Sequence, residues 1–136
     1  MPQLSFSSLA KLDTCDDRLK LVILTVAKHY DCTVLEGARS VEQERENIAK
    51  GTSKLTDPMN CKHVIRLPDR PKALAVDVAP FPLDWKDTDR FRVFGGFVKG
   101  VAAMLNIPLR WGGDWDGDWD FHDQQFNDLP HFEIAG

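Results

Sequence analysis

The sequence predicts an α+β domain, a small antiparallel sheet with flanking helices. Three observations carry this. The chain has 136 residues, the length of one domain spanning residues 1–136. At 43% hydrophobic and 28% charged residues it has the composition of a chain with an ordinary core. Its segments run helix, strand, helix, strand, helix, strand, strand, joined by irregular loops rather than by regular βαβ units.

Each element has its own reason. From Asp17 to Tyr30, apolar residues at Leu19, Val22, Ile23, Val26 and Tyr30 line one face of a helix, with Asp16 and Asp17 at the positive end of its dipole. Cys32 to Leu35 is β-prone, and Gly37 breaks it. Ser40 and Gln43 form a capping box for a helix running to Lys50 and ending at Gly51. Thr52 to Lys62 is polar and turn-rich, and Leu67-Pro68-Asp69-Arg70-Pro71 is irregular because proline removes a donor and fixes φ. Ala73 to Ala79 reads as an apolar strand interrupted by Asp77. Asp87 or Thr88 caps a helix with Phe91, Phe94, Val98, Val101 and Leu105 on its apolar face. Gly95, Gly96 and Gly100 lie inside it, each costing about 1 kcal/mol relative to alanine, so close packing is expected there. Leu109 to Trp111 and His131 to Ile134 are short strands flanking a loop rich in Trp, Gly and Asp.

Composition also excludes several classes. Seventeen basic against 21 acidic residues give a net charge of -4, which argues against a globally basic nucleic-acid binder. No apolar run approaches the roughly 18 residues of a membrane span, so no membrane partner is expected. The N-terminus lacks the basic start and apolar core of a secretory signal, which implies synthesis in the cytoplasm. Cys15, Cys32 and Cys61 are an odd set without C-x-x-C spacing and read as reduced thiols. A metal site here therefore draws on His, Asp and Glu.

Four residues invite chemistry. Asp77 in a core strand is either a buried acid satisfied by hydrogen bonds or an arginine, or a metal ligand. His63 precedes that strand and, alone, is a structural or surface histidine as readily as a ligand. His131 stands three residues after Asp128, a spacing that occurs often by chance. Together, His63, Asp77 and His131 make a three-ligand Zn²⁺ set with an open fourth position, the catalytic rather than the structural pattern. Asp128 is then a carboxylate free to accept a proton. The acidic run Asp114 to Asp120 resembles a Ca²⁺ loop in composition but lacks the EF-hand pattern and its bidentate Glu. Trp111, Trp115 and Trp119 either stack on sugars or pack the long loop against the core. His122 is a further loop candidate, for a structural or substrate-side role.

Ordered motifs along the chain add a resemblance. Gly37-Ala38-Arg39-Ser40, Lys62-His63-Val64, Ala75-Val76-Asp77-Val78-Ala79-Pro80, Trp111-Gly112-Gly113-Asp114-Trp115, Phe121-His122-Asp123 and Asp128-Leu129-Pro130-His131-Phe132-Glu133 follow one another from about Asp17 to Gly136. In these the chain resembles the zinc peptidases of the D-Ala-D-Ala carboxypeptidase and hedgehog-like fold. Among them it looks most like the small phage endolysins that act as L-alanyl-D-glutamate peptidases. The resemblance implies that His63, Asp77 and His131 bind zinc, that Asp128 is the general base, and that Arg39 stabilises the negative oxygen of the tetrahedral intermediate. The sequence departs from that pattern twice. The family places the first histidine and the aspartate seven positions apart, whereas His63 and Asp77 are fourteen apart, the extra residues falling within Arg66 to Leu74. Cys61 stands where the family has serine.

The expected function is a zinc peptidase that cleaves the L-Ala–D-Glu bond of the bacterial peptidoglycan peptide, as a monomeric phage or prophage lysin acting on the wall after release. A D-Ala-D-Ala carboxypeptidase or dipeptidase is the alternative within the fold. A non-catalytic wall-binding module is the alternative from another class, which Arg39 and Asp128 argue against because neither is needed to hold zinc. A thiol hydrolase built on Cys61 and His63 lacks an orienting acid.

Overall fold

The structure, a computed structural model, describes residues 4–51, 61–65, 67–120 and 128–135. Its elements are α1 (Phe6–Leu12), α2 (Asp17–Ala27), β1 (Cys32–Glu36), α3 (Val41–Lys50), β2 (Ala75–Pro80), α4 (Thr88–Met104), β3 (Leu109–Trp111) and β4 (His131–Ile134). The four strands form one antiparallel sheet in the order β1-β2-β4-β3. This is the expected α+β architecture, with one helix, α1, added at the start.

The sheet has two unlike faces because strand side chains alternate. Val76 and Val78 of β2 and Phe132 and Ile134 of β4 join the buried core. Asp77, His131 and Glu133, at the intervening positions, share the opposite face. The core side is closed by α2, through Leu19, Val22, Ile23 and Val26, and by α4, through Phe94 and Val98. Phe94 meets Tyr30 and Phe132 edge-on, with centroids 5.1 and 6.2 Å apart. Full burial of a side chain such as Phe94 stabilises the fold by about 1.5–3 kcal/mol.

Local signals behave as their chemistry requires. Asp16 caps α2 by accepting from the Arg18 N–H at 2.9 Å. In α3 the capping box is complete: Ser40 Oγ accepts from the Gln43 N–H at 3.1 Å, and Gln43 Oε1 accepts from the Ser40 N–H at 2.9 Å. Gly51 ends α3 in the left-handed conformation, at φ 76°. The helix glycines divide. A Cβ on Gly95 would sit 2.3 Å from the Trp111 ring, so α4 needs glycine there to lie against β3. At Gly96 and Gly100 a Cβ would meet nothing within 4 Å, which corrects the expectation of close packing at those two.

The long spacing between His63 and Asp77 is absorbed by an excursion whose ends are tied together. The Leu74 N–H donates to the Lys62 carbonyl at 2.7 Å. On one side the Arg39 N–H donates to the His63 carbonyl at 2.7 Å, and the Ile65 N–H donates to the Arg39 carbonyl at 3.2 Å. On the other, Ala73 bridges Cys15 in parallel, through the Ala73 N–H to the Thr14 carbonyl at 3.0 Å and the Asp16 N–H to the Ala73 carbonyl at 2.8 Å. Added loop length costs little closure entropy when the ends are held this way.

Candidate active site

Asp77 and His131 are direct cross-strand partners on the two inner strands, β2 and β4. Opposite residues in an antiparallel pair hold their Cβ atoms roughly 4.5–5.5 Å apart, so this pairing alone brings a carboxylate beside an imidazole. His131 Nδ1 lies 3.3 Å from Asp77 Oδ1. His63 comes from the segment bridged to Arg39, and its Nε2 lies 3.2 Å from the same oxygen. The two imidazoles meet edge to face with centroids 5.2 Å apart. One ligand atom from each of the three residues falls within 4.8 Å of the others, so the group could hold a metal ion.

The outer nitrogens of both histidines are engaged. His63 Nδ1 lies 2.7 Å from the Gly37 carbonyl, and His131 Nε2 lies 2.8 Å from Glu133 Oε1. A neutral imidazole with its outer nitrogen donating keeps a lone pair on the inner one. Two such nitrogens and a carboxylate are a donor set suited to zinc, so the residues fit the metal that the sequence implies. Gly37 is glycine because a Cβ there would lie 2.3 Å from the Lys11 carbonyl and from Thr14 Oγ1.

The charges are arranged unevenly. Burial by itself would raise the Asp77 carboxyl, but hydrogen bonds from His131 and His63 outweigh it and hold the group well below the usual carboxylate range. Burial works against the His131 imidazolium, yet Asp77 and Glu133 keep its pKa up at about 9. Asp128 moves the other way: burial, then the Asp77 charge, raises its carboxyl. Its Oδ2 is 3.9 Å from His131 Nδ1, and its side chain is 38% exposed, so solvent reaches it.

Arg39 is bridged through its backbone to Val64, next to His63. Its Nε donates to Glu36 Oε1 at 2.6 Å and its Nη1 to Glu44 Oε1 at 2.7 Å. Burial disfavours the guanidinium, but Glu36 and Glu44 more than restore it. Its charge also acts on Asp128. Cys61 Sγ lies 3.5 Å from Arg39 Nη1, so this thiol faces the arginine and is not in the His63–Asp77–His131 group. Burial raises the Cys61 thiol, which removes thiolate character.

The tryptophans serve different ends. Trp111 is buried, stacks on Phe132 and donates from Nε1 to the Leu129 carbonyl at 2.7 Å. Trp115 lies beside His131, with centroids 5.4 Å apart. Trp119 is exposed, under the Lys99 ammonium, which pairs with Asp114. Asp114, Asp116 and Asp118 bring their carboxylates together as a second acidic group. His122 and the Phe121-His122-Asp123 motif lie outside the described residues, as does Arg66.

Sequence reading assigned no role to Glu133, Lys62 or Glu44. Glu133 had a signal: on a strand, two residues from His131 means the same face. Lys62 pairs with Glu133 at 3.2 Å from a loop 71 positions upstream, which no local pattern announces. Glu44 is the one buried residue of α3 and has no periodic signature.

Comparison with known proteins places the chain in a family and matches its fold. The model of one protein family, described as phage L-alanyl-D-glutamate peptidase, matches residues 2–135. The chain is 37% identical over 98 residues to the L-alanyl-D-glutamate peptidase of Escherichia phage T5, a match covering 70% of this chain and 66% of that protein. Its fold is similar to the crystal structure of the Serratia marcescens L-Ala D-Glu endopeptidase ChiX. The TM-score is 0.73 at 24% sequence identity, over 98% of this chain and 91% of that one.

Proposed function

Because the chain belongs to the phage L-alanyl-D-glutamate peptidase family, we propose that it is a zinc peptidase that hydrolyses the L-Ala–D-Glu bond of peptidoglycan stem peptides, as a lysis enzyme. The observation that carries this reading is the convergence of His63 Nε2 and His131 Nδ1 on Asp77 Oδ1, with the Asp128 carboxylate beside them. His63, Asp77 and His131 would hold the zinc, which when bound supplies Lewis acidity to the scissile carbonyl and the attacking water.

The chain's own groups do the rest. Asp128, raised by burial and by the Asp77 charge, is poised to take the proton of the attacking water and return it to the leaving amine. Arg39, pinned by Glu36 and Glu44, supplies positive charge where the carbonyl oxygen becomes negative. Beside Arg39, a cleft of about 440 Å³ is lined by Ala38, Val41, Ile65 and Leu67 among others. Ile65 and Leu67 belong to the excursion between the ligands, so the added loop contributes to the wall that selects the peptide. The chemistry itself would hydrolyse any amide placed correctly.

Digestion of purified peptidoglycan followed by mass spectrometry of the muropeptides tests the bond. New N-terminal D-Glu, and glycan strands that keep only L-Ala on their muramic acid, are expected. Release of free D-Ala with the L-Ala–D-Glu bond intact would support a carboxypeptidase instead. Chelation should abolish cleavage and zinc restore it; full activity of metal-free protein would overturn the mechanism.

A further inference from the structure

We propose that Glu133 is a positioning residue for the metal centre: clamped by Lys62 and Arg110, it holds His131 through Nε2 and so turns Nδ1 toward the ion. This rests on the zinc reading above. Glu133 and His131 are two apart on β4 and project from the same face, with Glu133 Oε1 2.8 Å from His131 Nε2. The other carboxylate oxygen is taken up by two cations. Lys62 Nζ lies 3.2 Å and Arg110 Nη1 3.4 Å from Glu133 Oε2. Arg110 is the cross-strand partner of Glu133 on β3, and Lys62 also donates to the Ile134 carbonyl. Glu133 is buried, so its orientation is set by these partners rather than by solvent.

The consequence is a choice of nitrogen. A neutral imidazole carries one N–H, and a carboxylate accepting at Nε2 fixes the proton there, leaving the Nδ1 lone pair on the side of Asp77. A carboxylate behind a ligating histidine also raises its basicity and holds the ring plane. His63 is fixed by a different device, a backbone carbonyl at Gly37. Lys62, adjacent to His63 in sequence, ties the carboxylate behind one ligand to the segment carrying the other.

The test uses the full chain and zinc alone. Zinc affinity is measured by competition with a chromophoric chelator for wild type, Glu133→Gln and Glu133→Ala, with circular dichroism of each metal-free protein as the check on folding. Glu133→Ala should weaken zinc by roughly 10- to 100-fold, and Glu133→Gln by less, because its amide oxygen still accepts from Nε2–H. In zinc-loaded wild type, long-range ¹H–¹⁵N spectra should place the His131 proton on Nε2, a readout that a merely structural role does not predict. Unchanged zinc affinity in a folded Glu133→Gln and a folded Glu133→Ala, or a His131 proton on Nδ1, would overturn the clamp while leaving the zinc reading intact. Failure of wild type to bind zinc would overturn both.

Discussion

Arg39 answers to two carboxylates, and that changes what its replacement tests. Glu44 is fully buried and the Arg39 side chain is 14% exposed. Arg39→Ala takes the cation away from a buried carboxylate, a kind of change that destabilises by about 3–5 kcal/mol. The cleaner probe is Arg39→Lys, which keeps a charge and loses the planar fork. It should retain zinc and lower kcat by roughly 10²-fold if the fork serves the developing oxyanion. Asp128→Ala should also retain zinc while losing roughly 10²- to 10⁴-fold in turnover. Steady-state kinetics with metal analysis checks both, and loss of metal from either folded variant would show its role misassigned. Cys61→Ser should leave metal content and activity nearly unchanged, since the thiol faces Arg39 and lies outside the His63–Asp77–His131 group. That His63, Asp77 and His131 belong together was legible from residue type, order and motif. Their supports were not, because Glu44 and Lys62 act across the fold.

At the scale of elements, α4 gives a prediction with two signs. Gly95→Ala drives a methyl into the Trp111 ring, and overpacking of this kind costs about 1–3 kcal/mol. Gly96→Ala and Gly100→Ala face open space and should gain up to about 1 kcal/mol from helix propensity. Thermal melts of the three variants should therefore move in opposite directions; a stabilised Gly95→Ala would contradict the packing described. What could be read from sequence among the elements was whatever is encoded locally. The Ser40–Gln43 box, the Gly51 stop and the apolar face of α2 depend on residues within two turns of one another. Helix α1 was missed because it has no such stripe: only Ser8 and Leu12 are buried. Its support is tertiary, with Ser8 Oγ accepting from the Val34 N–H of β1 at 2.9 Å. Strand order was equally silent, since nothing near Asp77 says that its partner is His131.

For the whole molecule, pH acts through the same cluster. In the metal-free chain His131 is held up to about 9 from an ordinary 6.5, so the folded state binds its proton more tightly than the unfolded chain. That contribution is complete below pH 6.5 and is lost as the pH rises to about 9. Asp77 has the opposite sign: held below its ordinary 3.8, it stabilises above that value and is lost as the pH falls further. Melting temperature measured with a chelator present should therefore decline from pH 6.5 to 9. Saturating zinc should remove this decline, because ligation already displaces the proton, and zinc affinity should fall in acid for the same reason. A flat melting temperature across that window without metal would show that His131 is not bound to its proton as the geometry implies.

The hydrogen bond between Leu74 and Lys62 has a consequence for how this chain can be rebuilt. It gives the excursion a closed base: added length between the tied ends costs little closure entropy, while His63 and Asp77 stay referenced to the same pinned base. A designer rewriting this loop has a natural splice point at residues 67–72 that leaves the His63–Asp77–His131 group on its own supports.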